Sequence, residues 1–206
     1  MAISKIVTNS VDSGVTITSP TIASPTISAP VLSGSVTGTY TLAGTPTTGA
    51  SLITSGTVQA TTSGTSKDFT GIPSWVKRIT VMLAGVSTSG SSNYVFQLGT
   101  SSGVTTTGYI NYGMNFGSTS GSGAGYTNGF NSKSPVAGDV TSGSIIITNL
   151  TSNTWTAFGM TGAGATATGY LTAGSIALGG TLDRVRITAA NGTDTFDAGS
   201  INILYE

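Results

Sequence analysis

The sequence between residues 15 and 42 repeats every five residues. Large aliphatic side chains recur at this spacing, and prolines follow in step, each after a small residue. The aliphatic positions are Ile17, Ile22, Ile27, Leu32 and, after Thr37 breaks the pattern, Leu42; the prolines are Pro20, Pro25 and Pro30. Short repeats of this kind typically build elongated structures in which each repeat contacts only its neighbours.

A five-residue period matches neither regular element. Side chains in a strand alternate with period two, so successive isoleucines would point to opposite faces. In a helix the isoleucines would be scattered around the axis, and the prolines would interrupt it. Each repeat must therefore contain its own bend, for which the fixed φ of proline is suited. We predict an extended shaft in which several chains wind about a common axis and bury the aliphatic side chains between them.

The composition favours a protein that works in an assembly. Only 7% of the 206 residues are charged, against roughly 25% in a typical soluble domain, and seven Lys and Arg balance seven Asp and Glu. A chain without net charge attracts neither nucleic acid nor anionic lipid, and little repels one copy from another. No apolar run approaches the ~18 residues that span a bilayer. We therefore predict neither nucleic-acid binding nor membrane insertion.

Residues 1–14 are too short to fold alone. They contain Lys5, Asp12 and a small apolar set, Ile3, Ile6 and Val7. The segment is either a frayed terminus or an attachment peptide that becomes ordered on a larger partner. Lys5 is not followed by the apolar stretch of a secretory signal, so we expect the protein to stay in the cytoplasm unless something other than secretion releases it.

Residues 57–206 have a different pattern, in which short apolar-rich runs alternate with Gly, Ser and Asn turns. This pattern is typical of an all-β sandwich, and we predict an antiparallel, jelly-roll-like one that follows a shaft and neck at 15–56. The predicted strands are 57–61, 67–70, 76–84, 94–98, 109–116, 144–150, 154–160, 170–177, 182–188 and 200–205. Trp75 and Trp155 are expected in the core.

The sequence gives little support for a catalytic function. Without His or Cys there is no Ser–His or Cys–His pair, no common zinc site and no disulfide. Asp194 and Asp197 lie close together, but two carboxylates fall short of the roughly six to eight oxygens of a calcium site, and their surroundings favour a capped turn before the last strand. We predict a protein that is not an enzyme and needs no cofactor or metal.

Residues 117–139 form a long Gly- and Ser-rich stretch that carries two aromatic side chains. Loops of this length in compact domains are usually functional or disordered. Candidate receptor-binding residues are Tyr126, Asn128, Phe130 and Lys133. Tyr126 would stack on a sugar and Asn128 would bind its hydroxyls; alternatively, the aromatic rings pack onto the sandwich. A second glycine-rich stretch, 162–169, is expected to join this loop at one tip.

Three stretches resemble fibre proteins of tailed bacteriophages. The repeat S-P-T-I-A-S-P-T-I-S-A-P, with the S-V-T-G-T-Y-T-L-A-G-T-P that follows, is similar to their shaft repeats. Residues 67–88, K-D-F-T-G-I-P-S-W-V-K-R-I-T-V-M-L-A-G-V-S-T, and the closing residues 182–206 resemble a C-terminal domain of many tail and head fibre proteins. The resemblance implies a homotrimeric virion fibre, docked through its N-terminus to a tail or capsid protein, with its C-terminal knob pointing outward. It implies no catalytic or receptor residues.

Together these features predict a virion-surface fibre that is made in the host cytoplasm. Residues 1–14 would attach it, residues 15–56 would form the trimeric shaft, and residues 57–206 would form the knob. The expected partners are further copies of the chain, the phage particle and a host cell-surface polysaccharide. The alternative is a capsid decoration or head fibre without an essential receptor.

Overall fold

The computed structural model describes residues 53–117, 121–132 and 136–206. Several predictions concern residues outside these ranges. They are the attachment residues Ile3, Ile6 and Val7, the shaft residues Ile17, Ile22, Ile27, Leu32 and Leu42, the prolines Pro20, Pro25 and Pro30, and Lys133.

The described residues form fourteen β-strands and no helix, and all strand pairs are antiparallel, which confirms the predicted all-β class. The strands are β1 (Thr54–Ser55), β2 (Gln59–Ala60), β3 (Ser66–Thr70), β4 (Arg78–Thr88), β5 (Tyr94–Thr100), β6 (Gly103–Val104), β7 (Ile110–Phe116), β8 (Gly121–Tyr126), β9 (Phe130–Ser132), β10 (Thr141–Thr151), β11 (Thr154–Ala163), β12 (Thr168–Ala177), β13 (Arg184–Ala189) and β14 (Phe196–Tyr205). Within these ranges no helix is present that would be long and apolar enough to cross a membrane.

The strands belong to two sheets. The long sheet has the order β1-β14-β4-β10-β11-β12-β7-β8, with β2 also paired to β14. The short sheet has the order β3-β13-β5-β6, with β9 also paired to β5. Because the sheet neighbours β4, β10 and β14 are far apart in the chain, long-range pairing holds the centre of the long sheet together.

One hydrophobic core draws side chains from both sheets. On the long sheet, Ile79 and Val81 of β4 are fully buried, as the period-two alternation predicts. On the short sheet, Phe96 of β5 and Val185 and Ile187 of β13 are equally buried. Burial of each such side chain stabilises the fold by about 1.5–3 kcal/mol. Alternation along the strands therefore accounts for two sheets that share one core.

The two tryptophans have different positions. Trp155 is buried in the core, as predicted. The prediction for Trp75 is wrong, because half of its surface is exposed and its ring lies against Tyr205, with 6.0 Å between centroids. Trp75 follows Pro73 in the turn between β3 and β4, where no sheet face covers it.

Tyr109, immediately before β7, connects several elements through its hydroxyl group. The backbone N–H of Leu98 donates to this hydroxyl at 2.7 Å, and the hydroxyl donates to the carbonyl of Thr105 at 3.1 Å. Its ring meets Phe130 edge-on, with centroids 5.1 Å apart. Burial raises the pKa of Tyr109 to about 12, although the hydrogen bond from Leu98 opposes this shift.

The raised pKa predicts a loss of stability in alkali. Between pH 10 and 12 the tyrosine ionises in the unfolded chain but stays neutral in the folded one, so the free energy of unfolding falls by up to about 3 kcal/mol. At neutral pH, Tyr109→Phe should cost about 1–3 kcal/mol because the N–H of Leu98 loses its acceptor. Urea unfolding of both proteins should therefore show their stability difference shrinking above pH 10. A constant difference would contradict this role for Tyr109.

Asn111 of β7 connects the two sheets. It is buried, and its side-chain amide donates to the hydroxyl of Thr172 at 2.8 Å and to the carbonyl of Ala173 at 2.9 Å, both in β12. Its side-chain oxygen accepts the N–H of Asn131 at 2.9 Å. Asn131 lies in β9, which pairs with β5 of the short sheet. The inward face of β7 is therefore polar, and its apolar side chains point outward.

Candidate functional site

Residues 117–139 are not a single loop, which corrects the prediction from sequence. They contain β8, which pairs with β7, and β9, which pairs with β5. The strand signal is weak because β8 reads G-S-G-A-G-Y and has no large side chain before Tyr126. Aromatic rings of β7 supply the missing bulk: Tyr112 lies over Gly123, where a Cβ would collide with its ring.

Phe130, a predicted receptor contact, is fully buried in the core against Tyr109. Phe130 therefore packs onto the sandwich, as the alternative interpretation of the sequence expected. The prediction that it contacts a receptor is wrong, because a buried ring presents no face to a ligand. The alternation within β9 is too short to reveal this from sequence.

Tyr126 and Asn128 are half-buried and already have partners within the chain. The hydroxyl of Tyr126 accepts the side-chain amide of Asn93 at 3.1 Å. The carbonyl of Asn128 accepts the side-chain amide of Gln97 at 2.8 Å, and its side-chain oxygen accepts that of Asn131 at 2.9 Å. These bonds hold the connection between β8 and β9 against β5.

The two glycine-rich stretches meet at one end of the long sheet, which we call the tip. Asp139, at the end of the first stretch, is buried, and its carboxylate accepts the hydroxyl of Thr166 at 2.7 Å. Thr166 lies in the turn between β11 and β12, within the second stretch. Tyr126 pairs with Asn111, five residues along β7 from Phe116 at the tip, so it lies roughly 17 Å away.

A shallow groove of about 530 Å³ opens at the tip. It is lined by Val140, Ser142, Gly162, Ala163, Gly164, Ala167, Thr168 and Gly169. Beneath it the interior is polar: Thr141 and Tyr170 are fully buried beside Asp139, and burial raises the pKa of Tyr170. The tip groove therefore offers small side chains, hydroxyl groups and accessible backbone, which suits hydrogen bonding to a polar ligand.

The tip lies at the opposite end of the long sheet from residues 53–55, where the described part of the chain begins, and we call that opposite end the N-terminal end. At that end, Thr54 of β1 pairs with Tyr205, and Tyr205 pairs with Ile79 at the beginning of β4. β10 runs between the two ends, and its eleven residues span about 36 Å. A second cleft, of about 480 Å³, lies near the N-terminal end and includes Gln59, Asp68 and Tyr205.

Asp194 and Asp197, which lie outside the tip, accept hydrogen bonds from different groups. Asp194 accepts the side-chain amide of Asn191 at 2.6 Å and the N–H of Ser92 at 3.1 Å, whereas Asp197 accepts the hydroxyl of Ser87. The two carboxylates thus bind different partners. Among the described residues, no three His, Cys, Asp or Glu side chains are grouped as potential metal ligands.

The outward side of the long sheet is a further candidate surface, which sequence analysis missed. Six large apolar side chains point to solvent there, and we call this surface the outer face: Ile110, Tyr112, Phe116, Ile146, Phe158 and Met160. Alternation along 109–116 indicated that apolar and polar side chains lie on different faces of β7, but did not indicate which face is buried. The absence of charge from the neighbouring strands is the signal that could have revealed it.

Comparison of the chain with protein-family models, curated proteins and solved structures gives no match. The resemblance to phage fibres therefore stays a prediction. Function has to be argued from the geometry of the described residues together with the sequence pattern.

Proposed function

We propose that this chain is a homotrimeric fibre protein of a tailed bacteriophage, whose jelly-roll-like knob binds a glycan on the host surface. Residues 1–14 attach it to a tail or capsid protein, and residues 15–56 form the shaft. The observation that best supports this arrangement is the separation of the two ends of the long sheet. The shaft would lead into one end, and the tip groove opens at the other.

We propose the tip groove as the adhesion site, in place of the four residues that the sequence predicted. Phe130 is buried, Tyr126 and Asn128 have internal partners, and Lys133 lies outside the described residues. The groove, in contrast, presents hydroxyl groups and backbone at the end remote from the shaft. A shallow groove of this kind binds weakly, but three knobs per fibre and several fibres per particle multiply the avidity. Adhesion then needs neither a tight single site nor catalysis.

The homotrimer has a direct test in the solution mass of the full chain. Light scattering should give about three times the 20.4 kDa of one chain, because aliphatic repeats at 15–42 are buried only when several copies wind together. The mass should persist on dilution into the nanomolar range if the shaft is wound. A chain that stays monomeric at micromolar concentration would overturn the fibre proposal.

One observation favours the alternative, a capsid decoration without an essential receptor. None of the described residues that line the tip groove is aromatic, and the nearest ring, that of Phe116, lies over Gly169 at its border. Particles that carry the fibre without residues 57–206 discriminate the two functions. Lost adsorption to host cells supports receptor binding, whereas unchanged adsorption supports decoration.

A further inference from the structure

The apolar side chains of the outer face form a continuous band across the long sheet. In the strand register, Ile146 of β10 lies opposite Phe158 of β11, Phe158 opposite Ala173 of β12, and Ala173 opposite Tyr112 of β7. Directly opposite side chains on one face are in contact distance. Phe158 is 58% exposed and Tyr112 is 51% exposed. More than half of the surface of each residue is thus in solvent, although each lies on a strand with a neighbour on both sides.

No charged residue interrupts this band. The strands β7, β8, β10, β11 and β12 contain neither Lys, Arg, Asp nor Glu. Charged residues of the long sheet lie only in β4 and β14, where Arg78 is paired with Glu206 at 3.1 Å and Asp197 lies near the other end. Soluble monomers rarely expose a large contiguous apolar patch. Five adjacent strands without a charge indicate that the outer face is covered in the working protein.

The outer face is also smooth. The ring of Tyr112 lies over Gly123 of β8, and the ring of Phe116 lies over Gly169 of β12. Each of these rings fills the space that a side chain at the glycine position would occupy. β8, the last strand of the long sheet among the described residues, carries none of the Lys or Pro residues that commonly protect sheet edges.

The dimensions of the face match those of a protein–protein interface. Seven strands from β14 to β8, about 4.8 Å apart, and roughly seven residues of about 3.3 Å each give a face of roughly 30 by 23 Å, or about 700 Å². A standard interface buries about 800 Å² on each partner. A glycan chain would cover only part of such an area.

We propose that the outer face is the surface through which copies of this chain pack against one another, an inference that rests on the proposed homotrimer. The charge at the border of this face, Arg78, is paired with Glu206 at 3.1 Å, so on a chain of zero net charge little repels a copy of the same face. The face runs along the long sheet to the tip, where Phe116 borders the tip groove at Gly169. Its burial therefore leaves open the part of the groove formed by the turn between β11 and β12, at Gly164 and Ala167. Copies related by a rotation axis bury this face in a closed assembly.

The test uses the absence of cysteine from the chain. Phe158→Cys in the full-length protein introduces a single thiol in the outer face, and Thr70→Cys, exposed on β3 of the short sheet, is the matched control. Light scattering gives the mass of each protein, and the rate of maleimide labelling gives the accessibility of its thiol. We expect an oligomer in which the thiol at position 158 reacts at least tenfold more slowly than the thiol at position 70.

Each of the other outcomes either overturns or supports the inference. Equal labelling rates in an oligomer would overturn this inference and leave the homotrimer standing. A monomer with fast labelling at both positions would overturn the homotrimer as well. A monomer in which only position 158 is protected would show that residues 1–52 of the same chain cover the face, which also overturns the inference. Loss of assembly in Phe158→Cys alone, with the β-strand content by circular dichroism unchanged, would support it, because the substitution then removes a contact between copies.

Discussion

Gly164→Trp is expected to lower the avidity of the full-length protein for host polysaccharide by about a hundredfold, since each of the linked sites is weakened. Gly164 lines the tip groove in the turn between β11 and β12. It has open space around the position of a Cβ, so an indole ring can be added without disturbing the fold. The ring would fill the groove in every copy. Binding to host cells or to their purified polysaccharide, measured at one protein concentration, checks the result.

Gly179→Trp is the control for this variant. Gly179 lies in the turn that follows β12, at the opposite end of the long sheet, and it has equally open surroundings. The same added ring should therefore leave binding unchanged. If Gly164→Trp binds as well as Gly179→Trp, the tip groove is not the adhesion site. If both variants lose binding and also have lower melting temperatures, the loss of binding comes from a disturbed fold.

Gly199→Ala is expected to destabilise the protein by at least about 3 kcal/mol, which corresponds to roughly 6–12 °C in melting temperature. Gly199 lies in β14 with φ at +91°, within the second of two register shifts against β4. A Cβ there would lie 2.3 Å from the carbonyl oxygen of Gly85. The nearest atoms that this Cβ would meet are all backbone atoms of Gly85 and Val86, so no side-chain movement can relieve the clash, and both β4 and β14 contribute core side chains.

Thermal unfolding at equal protein concentrations measures this effect, because the stability of an oligomer depends on concentration. Gly179→Ala is the control, since its φ is not in the left-handed region and its surroundings are open. That change should shift stability by no more than about 1 kcal/mol. Equal melting temperatures for the two variants would mean that β14 can straighten its bulges, and the close approach to Gly85 would not be required.

Sequence patterns predicted most of the strands because alternation is a local property. Ile79 and Val81 mark β4, and Phe96 and Leu98 mark β5, with no information from the rest of the chain. The same rule missed β8, since a strand of glycine and serine has no alternation to detect. The position of β8 depends on the ring of Tyr112 and on neighbouring side chains of β7.

The candidate site was less predictable than the fold. Sequence placed the two glycine-rich stretches at one tip, and Asp139 and Thr166 do meet there. It also placed Phe130 on the surface, although this ring is the edge-on partner of Tyr109 in the core. Exposure of an aromatic residue in a glycine-rich segment depends on contacts with distant strands, which spacing along the chain does not encode.

What the sequence by itself determined is the division of the chain into a repeat and an all-β region, and the two faces of each long strand. These follow from the five-residue and two-residue periods. Only the tertiary structure decided which face of β7 is inside. Asn111 finds hydrogen-bond partners in β12 and β9, so its polar face can be buried, and Ile110 and Tyr112 are left outside. A buried polar group is tolerated only when distant backbone supplies its partners, and that supply exists only once the strands have paired.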